Sequence, residues 1–288
     1  MKSTAKFALT AIIALSLYPS GVTAQTKGEQ KTAALSVDPA LTPILSAESR
    51  KDDAARDKYR HPAETLAFFQ MKANMTVAEY SPGGGWFTKI LIPYLATSGK
   101  YLAIGPDSAT LTFNNRAREA ATKGWPERFP GQAAGWTGVD AKTIGAFESD
   151  ELPAELVGQI DRIVIFRSMH GMLNGNRADN ELQNLHKILK DDGMIGVEQH
   201  RANSNAAYAW SDGSKGYLRQ KDVVALFELN GFELVSASEI NANPKDTKDY
   251  PGGVWTLPPT REGDPENDAK YQAIGESDRM TLLFRKRP

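Results

Sequence analysis

The chain has 288 residues, of which 41% are hydrophobic and 24% charged, a balance that suits one large folded domain or a domain with additions. Its formal net charge of −1 at pH 7 gives no indication that nucleic acid or an anionic membrane is a partner. The sequence contains no cysteine, which excludes thiol catalysis and zinc sites built on cysteine.

The N-terminus has the pattern of an export signal. Lys2 and Lys6 precede an apolar run from Phe7 to Leu17, and a small-residue cleavage site ends at Ala24. An uncleaved anchor is the alternative, but the apolar run is too short to span a bilayer comfortably. We therefore predict a signal peptide over residues 1–24, an exported, periplasmic protein, and no stable membrane association after cleavage.

The segments after the signal differ in composition. Residues 25–40 are small and polar, which is typical of a disordered leader, and residues 41–288 are predicted to form a single domain. The domain opens with Leu41 to Arg60, where few apolar residues stand among many charges, and we predict one or two exposed helices there. Arg60 and His61 are expected to be a solvated pair, with a role in the site as the alternative.

A glycine-rich turn is the most informative stretch of the sequence. The apolar run Met75–Ala78 predicts a strand, and apolar residues at helical spacing from Trp86 to Leu95 predict a helix. Glycines between them permit positive φ and let a ligand approach the backbone, while the helix N-terminus attracts an anionic group. This arrangement predicts a nucleotide-type cofactor site formed by Glu79, Ser81, Gly83, Gly84 and Gly85.

The residues after the turn separate the common cofactor motifs. Trp86 follows Gly85, whereas a P-loop needs Lys and then Ser or Thr after its loop. Thr88 stands where the dinucleotide fingerprint has a third small residue, so NAD is possible but not favoured.

The rest of the chain alternates predicted strands with predicted helices, which indicates a doubly wound, mostly parallel sheet. Helices are predicted at about 178–189 and 221–229, and strands at Tyr101–Ile104, Thr143–Phe147, Asp161–Phe166, Met194–Val197, Phe232–Ser236 and Met280–Arg285. Ligands of such sheets bind outside the carboxyl ends of the strands, and four further polar residues are predicted to lie there: Asp107, His170, Glu198 and His200.

Several motifs carry a family resemblance. The pattern Glu79-x-Ser81-x-Gly83-x-Gly85 resembles the acid-x-Gly-x-Gly-x-Gly signature of class I S-adenosylmethionine-dependent methyltransferases, with Ser81 replacing the first glycine. From about Asp57 to Arg287, the chain is also similar to exported, predicted methyltransferases of bacteria. Three motifs in order carry this second resemblance: Pro82–Trp86, Phe166-Arg167-x-x-His170 and Asn243–Asp246.

The resemblance implies a Rossmann-like sheet of seven strands with an antiparallel last strand, N-terminal helices and a C-terminal lid-like insertion at about 241–278. It also implies S-adenosylmethionine as cofactor and methyl transfer to a small-molecule acceptor that the resemblance does not identify. A non-catalytic small-ligand-binding protein on the same fold is the alternative, because the cofactor is made in the cytoplasm. An NAD(P)-dependent oxidoreductase is a third possibility. The oligomeric state is left open.

Histidine is the side chain best suited to act as a base near neutral pH. His170 is the first candidate for base or substrate contact, with a packing role as the alternative, and His200 and Glu198 are further catalytic candidates. These three side chains could also hold Zn²⁺ or Fe²⁺, but we predict no metal because catalytic metal sites usually show tighter motifs.

Two charged residues are candidate cofactor contacts. The family pattern has an acid for the ribose hydroxyls where this chain has Gly105, so Asp107 is either a ribose ligand or a turn residue. Arg167 either binds a carboxylate or pairs with a neighbouring acid.

The insertion between the last two predicted strands is well beyond an ordinary loop in length. Its aromatic and proline residues favour an ordered segment, and strand six should end on the ligand side of the sheet. We predict that Lys245 to Thr260 forms a lid over the pocket, with an acidic surface excursion as the alternative.

Overall fold

A seven-stranded mixed sheet organises the computed structural model, which describes residues 35–263 and 265–287. The predicted signal peptide and the first part of the predicted leader lie outside the described residues. The described residues form one unit that begins at Leu35. Asp38, within the predicted leader, accepts a hydrogen bond of 2.7 Å from the Tyr94 hydroxyl. Within this part of the chain, no helix has the length and apolar character needed to cross a membrane.

The strand order is β3-β2-β1-β4-β5-β7-β6. All neighbouring strands are parallel except β7, which runs antiparallel to both β5 and β6. This confirms the predicted doubly wound, Rossmann-like sheet with an antiparallel last strand. The strands are β1 (Thr76–Tyr80), β2 (Lys100–Gly105), β3 (Ile144–Glu148), β4 (Ile160–Phe166), β5 (Leu189–His200), β6 (Phe232–Ser238) and β7 (Arg279–Lys286).

Helices cover both faces of the sheet, and short 3₁₀ turns join several of the elements. The helices are α1 (Leu41–Leu45), α2 (Asp57–Arg60), α3 (Pro62–Phe68), α4 (Thr88–Leu95), α5 (Arg116–Lys123), α6 (Trp125–Thr137), α7 (Met169–Asn174), α8 (Ala178–Ile188), α9 (Gln220–Leu229) and α10 (Asp268–Ile274).

The core has two layers because successive side chains of a strand point to opposite faces. On β4, Ile163 and Ile165 belong to the layer that α8 and α9 cover, whereas Val164 and Phe166 belong to the layer under α3, α4 and α6. The Phe166 ring stacks on Phe87, just before α4, with ring centroids 3.5 Å apart. This stacking packs the start of α4, and therefore the glycine turn, against the end of β4.

The topology creates a switch point between β1 and β4. The chain crosses from β1 to β2 in one direction and from β4 to β5 in the other. The loops after β1 and β4 therefore part and leave a crevice at the carboxyl ends of these two strands.

Two elements differ from the sequence prediction. Helix α7 was not predicted, because its six residues are too few to show a helical period. The strand predicted at Met194–Val197 is longer, because β5 begins at Leu189 on pairing with Ile160 and includes Asp191-Asp192-Gly193.

Many residues between Leu41 and Arg60 are exposed, but Arg60 is buried and not solvated. Arg50 is fully buried and pairs with Asp57 at 2.8 Å, and Arg60 is also buried. Both guanidinium groups lie over the Trp86 ring, at 5.1 and 4.6 Å from its centroid. These cation–π contacts hold the segment against the glycine turn, and low apolar content did not indicate them.

Ser81 and Arg167 both have left-handed backbones, with φ of 53° and 56°. Each lies just after a strand and extends its pairing by one hydrogen bond of 2.7 Å, from Ser81 N–H to the Ile104 carbonyl oxygen and from Arg167 N–H to that of Glu198. A left-handed conformation costs a non-glycine residue roughly 1–2 kcal/mol, which explains why glycine is the usual residue at the position of Ser81.

We expect Ser81→Gly to raise the free energy of unfolding by about 0.5–1 kcal/mol, because relief of the φ strain exceeds the entropy that glycine gains in the unfolded chain. Ser81→Ala is the control, since it removes the hydroxyl and keeps the Cβ. Urea denaturation would measure both variants. A glycine variant less stable than the alanine variant, by the entropic cost of glycine, would show that the backbone at position 81 carries no strain.

Candidate functional site

A cleft of about 480 Å³ opens at the switch point. Tyr80 to Gly84 line it from the end of β1, and Phe166 to Ser168 with His170 and Gly171 line it from the end of β4. Asp53, Arg56 and Arg60 of the N-terminal segment form a third wall. The volume is in the usual range for small-molecule sites, roughly 300–1,000 Å³.

The three glycines of the turn differ in their surroundings. Gly83 has φ of 59°, and a Cβ added at Gly83 or at Gly84 would meet nothing within 4 Å. A Cβ at Gly85, which has φ of 77°, would lie 2.3 Å from the Trp136 ring. Gly83 and Gly84 therefore line the cleft, whereas Gly85 is required for packing against α6 and does not line it.

Glu79 does not line the cleft, contrary to the predicted ligand contact. Because β1 continues to Tyr80, the Glu79 carboxylate lies inside the helix layer and accepts hydrogen bonds from the Thr88 and Tyr101 hydroxyls at 2.7 and 2.6 Å. Burial raises the pKa of Glu79 to about 7, although both hydroxyls and Arg167 lower it. Its observed contacts join β1, β2 and α4.

Asp107 caps its own turn, because its carboxylate accepts the Ala109 N–H at 2.8 Å. It lies outside the cleft lining, next to two acids from the end of β3, Glu148 and Asp150. The Glu148 carboxylate accepts the Ser108 N–H at 2.8 Å. The three acids together are the one group in the described part of the chain with the spacing of a metal site. Gly105, where the family pattern has an acid, is covered by the Trp125 ring.

An alternating network of arginine and glutamate side chains lies beneath the cleft. Glu198 accepts hydrogen bonds from Arg167 at 3.1 Å and from Arg279 at 3.0 Å, one on each carboxylate oxygen. Glu276 accepts hydrogen bonds from three guanidinium groups: Arg56 at 2.6 Å, Arg60 at 2.9 Å, and Arg279, which therefore bridges the two glutamates. Glu198 is therefore an ion-pair partner of two arginines, and it lines neither the cleft nor the adjoining cavity described below.

Two of the predicted catalytic histidines lie close together, with ring centroids 5.9 Å apart. The Gln199 amide nitrogen donates to the Gly216 carbonyl oxygen at 2.8 Å and lies 3.4 Å from His170 Nδ1. This orientation makes Nδ1 an acceptor, so Nε2 of a neutral His170 carries the proton. His200 Nδ1 lies 2.6 Å from the Ser277 hydroxyl oxygen.

Both histidines are neutral at pH 7. Burial lowers the pKa of His170, and it lowers the pKa of His200 well below its usual value, with Arg279 adding to the effect. His170 lines the cleft, whereas His200 lines a second cavity. A neutral imidazole in each place can exchange a proton with a substrate group.

The second cavity, of about 160 Å³, adjoins the cleft. Arg56, Arg60 and Arg167 line both spaces and form the boundary between them. The far wall comes from the insertion, through Val254, Trp255 and residues 258–260. The Trp255 ring also contacts His170 with centroids 5.8 Å apart. The predicted lid segment therefore forms a wall of this second cavity, and none of its residues lines the cleft at the glycine turn.

A larger cleft of about 650 Å³ lies elsewhere, near the start of α9. Its charged residues pair with one another: Arg201 contacts Glu239 and Asp278 at 2.6 and 3.0 Å, and Lys248 contacts Asp278 at 2.6 Å. Neither the glycine turn nor the histidines line this cleft. The cleft at the switch point is therefore the candidate site, although it is smaller.

Arg56 and Arg279 were not predicted at the site, whereas a site role for Arg60 was the less favoured alternative. Arg56 and Arg60 are four residues apart, the spacing of neighbours on one helix face, and this was the available signal. Glu276 precedes β7 and Arg279 is its first residue, and the contact of Glu276 with Arg56 depends on tertiary packing. Arg177, four residues before Glu181, also lines the cleft.

The comparisons with known proteins concern the fold alone. No protein-family model and no curated protein matches the sequence. Among similar solved structures are a methyltransferase dependent on S-adenosylmethionine (SAM) from Aquifex aeolicus (16% identity, 70% of this chain and 93% of that chain, TM-score 0.44) and a TehB-like SAM-dependent methyltransferase from Corynebacterium glutamicum (14%, 78% and 87%, 0.41). A third is the 1,6-didemethyltoxoflavin-N1-methyltransferase of Burkholderia thailandensis, solved with S-adenosylhomocysteine (13%, 86% and 87%, 0.43).

Proposed function

We propose that this protein transfers a methyl group from S-adenosylmethionine to a small-molecule acceptor. One observation carries the proposal: Gly83 and Gly84 present open backbone to a cleft at the switch point, opposite a wall of arginines and His170. Glycine at this place lets a ligand approach more closely than any side chain would permit. The motifs of the glycine turn and of Arg167 to His170, which resemble those of methyltransferases, line this cleft from opposite sides.

The cleft has polar groups that suit the cofactor. The buried Tyr80 hydroxyl makes no hydrogen bond within residues 35–263 and 265–287, and Tyr80 and Arg177 both line the cleft. Arg177 Nε lies 3.4 Å from a Glu181 carboxylate oxygen, an ion pair without a hydrogen bond. The amino-acid carboxylate of the cofactor would give the Arg177 guanidinium a second anionic partner. The acids Asp107 and Asp150 lie outside the cleft lining, after the ends of β2 and β3, where they would accept hydrogen bonds from the ribose hydroxyls or the adenine amine of a cofactor that extends beyond the cleft.

The cofactor supplies an electrophilic methyl group on a sulfonium. The protein holds the acceptor in line with the methyl group and excludes water. The wall formed by Trp255 and residues 258–260 contributes to the exclusion of water. His170 Nε2–H can donate a hydrogen bond to an acceptor oxygen. Neutral His200, in the second cavity, can take a proton from a hydroxyl or ammonium acceptor, with the Ser277 hydroxyl fixing its ring.

A second candidate function is non-catalytic binding of a small ligand in the same cleft. It is favoured by the Trp125 ring over Gly105, where the family pattern has a ribose-binding acid, and by Asp107 capping its own turn. NAD(P) chemistry is less favoured, because buried Thr88 bonds to Glu79 where the dinucleotide fold packs a small residue.

Calorimetric titration of the purified protein separates these functions. We expect S-adenosylmethionine and S-adenosylhomocysteine to bind with one site per chain, and NAD and NADP to give no heat of binding. Binding of a nicotinamide dinucleotide instead would favour the oxidoreductase. If none of the four bound, methyl transfer would be excluded and the non-catalytic candidate would remain.

The proposal includes export, because the first 24 residues have the signal pattern. We expect the mass of the protein from a periplasmic extract to correspond to a chain that begins at Gln25. A full-length mass in the membrane fraction would indicate an uncleaved anchor.

A further inference from the structure

The walls of the second cavity carry more positive than negative charge. Four guanidinium groups line it, from Arg56, Arg60, Arg167 and Arg279. Glu276 and Glu198 are the two carboxylates that hydrogen bond to them. Four cations against two anions leave an excess of two positive charges at a largely buried place.

Neighbouring acids in the described part of the chain do not cancel this excess, because each has its own cation. Asp53, on the wall of the adjoining cleft, pairs with Lys89 at 2.6 Å. Asp278, beside Arg279 in the sequence, pairs with Arg201 at 3.0 Å and with Lys248 at 2.6 Å. Burying unpaired charge is costly, so a site of this kind is stabilised when a ligand brings the missing negative charge.

Two further observations indicate that the guanidinium groups of this cavity have too few anionic hydrogen-bond acceptors in the described part of the chain. Arg279 is almost fully buried, and its Nε has no hydrogen-bond partner within the described residues. Burial lowers the pKa of Arg167 despite its contact with Glu198, and repulsion by Arg279 and Arg56 lowers it further.

We propose that the second cavity binds a carboxylate or phosphate group of the methyl acceptor, so that the acceptor is a small organic acid. That the bound acid is the methyl acceptor rests on the proposed methyl transfer. That the cavity binds an anion rests on the arginines alone. A guanidinium fork matches the oxygens of both groups and can bind them with two parallel hydrogen bonds. Arginines at the boundary with the cleft place the acid beside the cofactor site.

The size of the cavity limits what enters it. Its volume of about 160 Å³ is that of roughly five water molecules, which suits an acidic group with a few attached carbons. Trp255, Pro258 and Pro259 form an apolar side against which those carbons would pack.

The test uses acetate, inorganic phosphate and acetamide as probes, titrated without cofactor at constant ionic strength and followed by calorimetry or ligand-observed NMR. Acetamide has the shape of acetate without its charge. We expect acetate or phosphate to bind and acetamide to bind at least about tenfold more weakly, since a charged hydrogen bond is lost. Whichever anion binds more tightly identifies the acidic group of the acceptor. Equal affinity for acetate and acetamide would overturn the proposal.

Arg56 is the residue to replace, because it is the most exposed of the three arginines that pair with Glu276. Glu276 keeps Arg60 and Arg279 as partners when Arg56 is removed. We expect Arg56→Met to weaken anion binding about tenfold or more and Arg56→Lys to restore part of it. Arg261→Met, at the exposed pair with Asp268, is the control and should leave anion binding unchanged. Equal anion affinity in Arg56→Met and Arg261→Met would refute the assignment.

The two proposals fail separately. If neither acetate nor phosphate bound but S-adenosylhomocysteine did, only the proposal of an acidic acceptor would be refuted. Anion binding in a protein that binds no S-adenosylhomocysteine would remove methyl transfer and leave an organic-acid site.

Discussion

Replacing Glu276 by Gln is expected to lower the free energy of unfolding by about 3–5 kcal/mol, because it leaves buried guanidinium groups without their counter-charge. The carboxylate accepts hydrogen bonds from Arg56 at 2.6 Å, Arg60 at 2.9 Å and Arg279. Without the Glu276 carboxylate, Glu198 would be the one carboxylate of the described residues that remains in the network of four arginines. Since 1 kcal/mol shifts the melting temperature of a domain this large by roughly 2–4 °C, we expect a fall of about 6–20 °C.

Glu239→Gln is the matched control for this variant. Glu239 also pairs with an arginine, Arg201 at 2.6 Å, but 68% of its side chain is exposed. An exposed pair contributes only about 0–1 kcal/mol, so this change should hardly alter stability. Urea denaturation of both variants would measure the difference. If the two lost equal stability, the network beneath the cleft would be no more than a surface cluster.

Gly84→Val is expected to weaken S-adenosylhomocysteine binding by about 100-fold or more, equivalent to about 2.7 kcal/mol, with little change in stability. A Cβ at Gly84 meets no protein atom within 4 Å, and Gly84 has no positive φ, so the new side chain would occupy the ligand's space without straining the backbone. Gly83→Val should also abolish binding, but its φ of 59° adds backbone strain, which makes Gly84 the cleaner test.

Gly131→Val, in α6, is the control, because a Cβ there also meets nothing within 4 Å and the residue lies outside the cleft. Calorimetry would give the affinity, and thermal melts would show whether each variant is folded. Wild-type affinity in a folded Gly84→Val protein would exclude the turn from the cofactor site.

The sheet could be predicted from sequence because its signals are local. Apolar runs, glycine turns and helical periods occur within a few residues of one another, and the predicted strands all appear, with shifted ends. The role of each glycine was less accessible. Gly83 and Gly84 line the cleft while Gly85 packs under Trp136, and only the position of α6 separates them.

The site was predicted in part, for a physical reason. His170, His200 and Arg167 lie at the cavities because the carboxyl ends of parallel strands meet at one edge of a sheet. Glu79 and Glu198 were expected to contact ligand, but β1 and β5 continue past the expected ends and turn both carboxylates to protein partners. Contacts that join distant segments, such as Arg56 with Glu276, leave no periodic trace in the sequence.

A crystal structure of the protein with S-adenosylhomocysteine tests the central claim most directly. The account predicts electron density for the ligand in the cleft at the switch point, in contact with the backbone of Gly83 and Gly84 and with its carboxylate at Arg177. Density in the larger cleft near α9, or an empty switch-point cleft at saturating ligand, would contradict it.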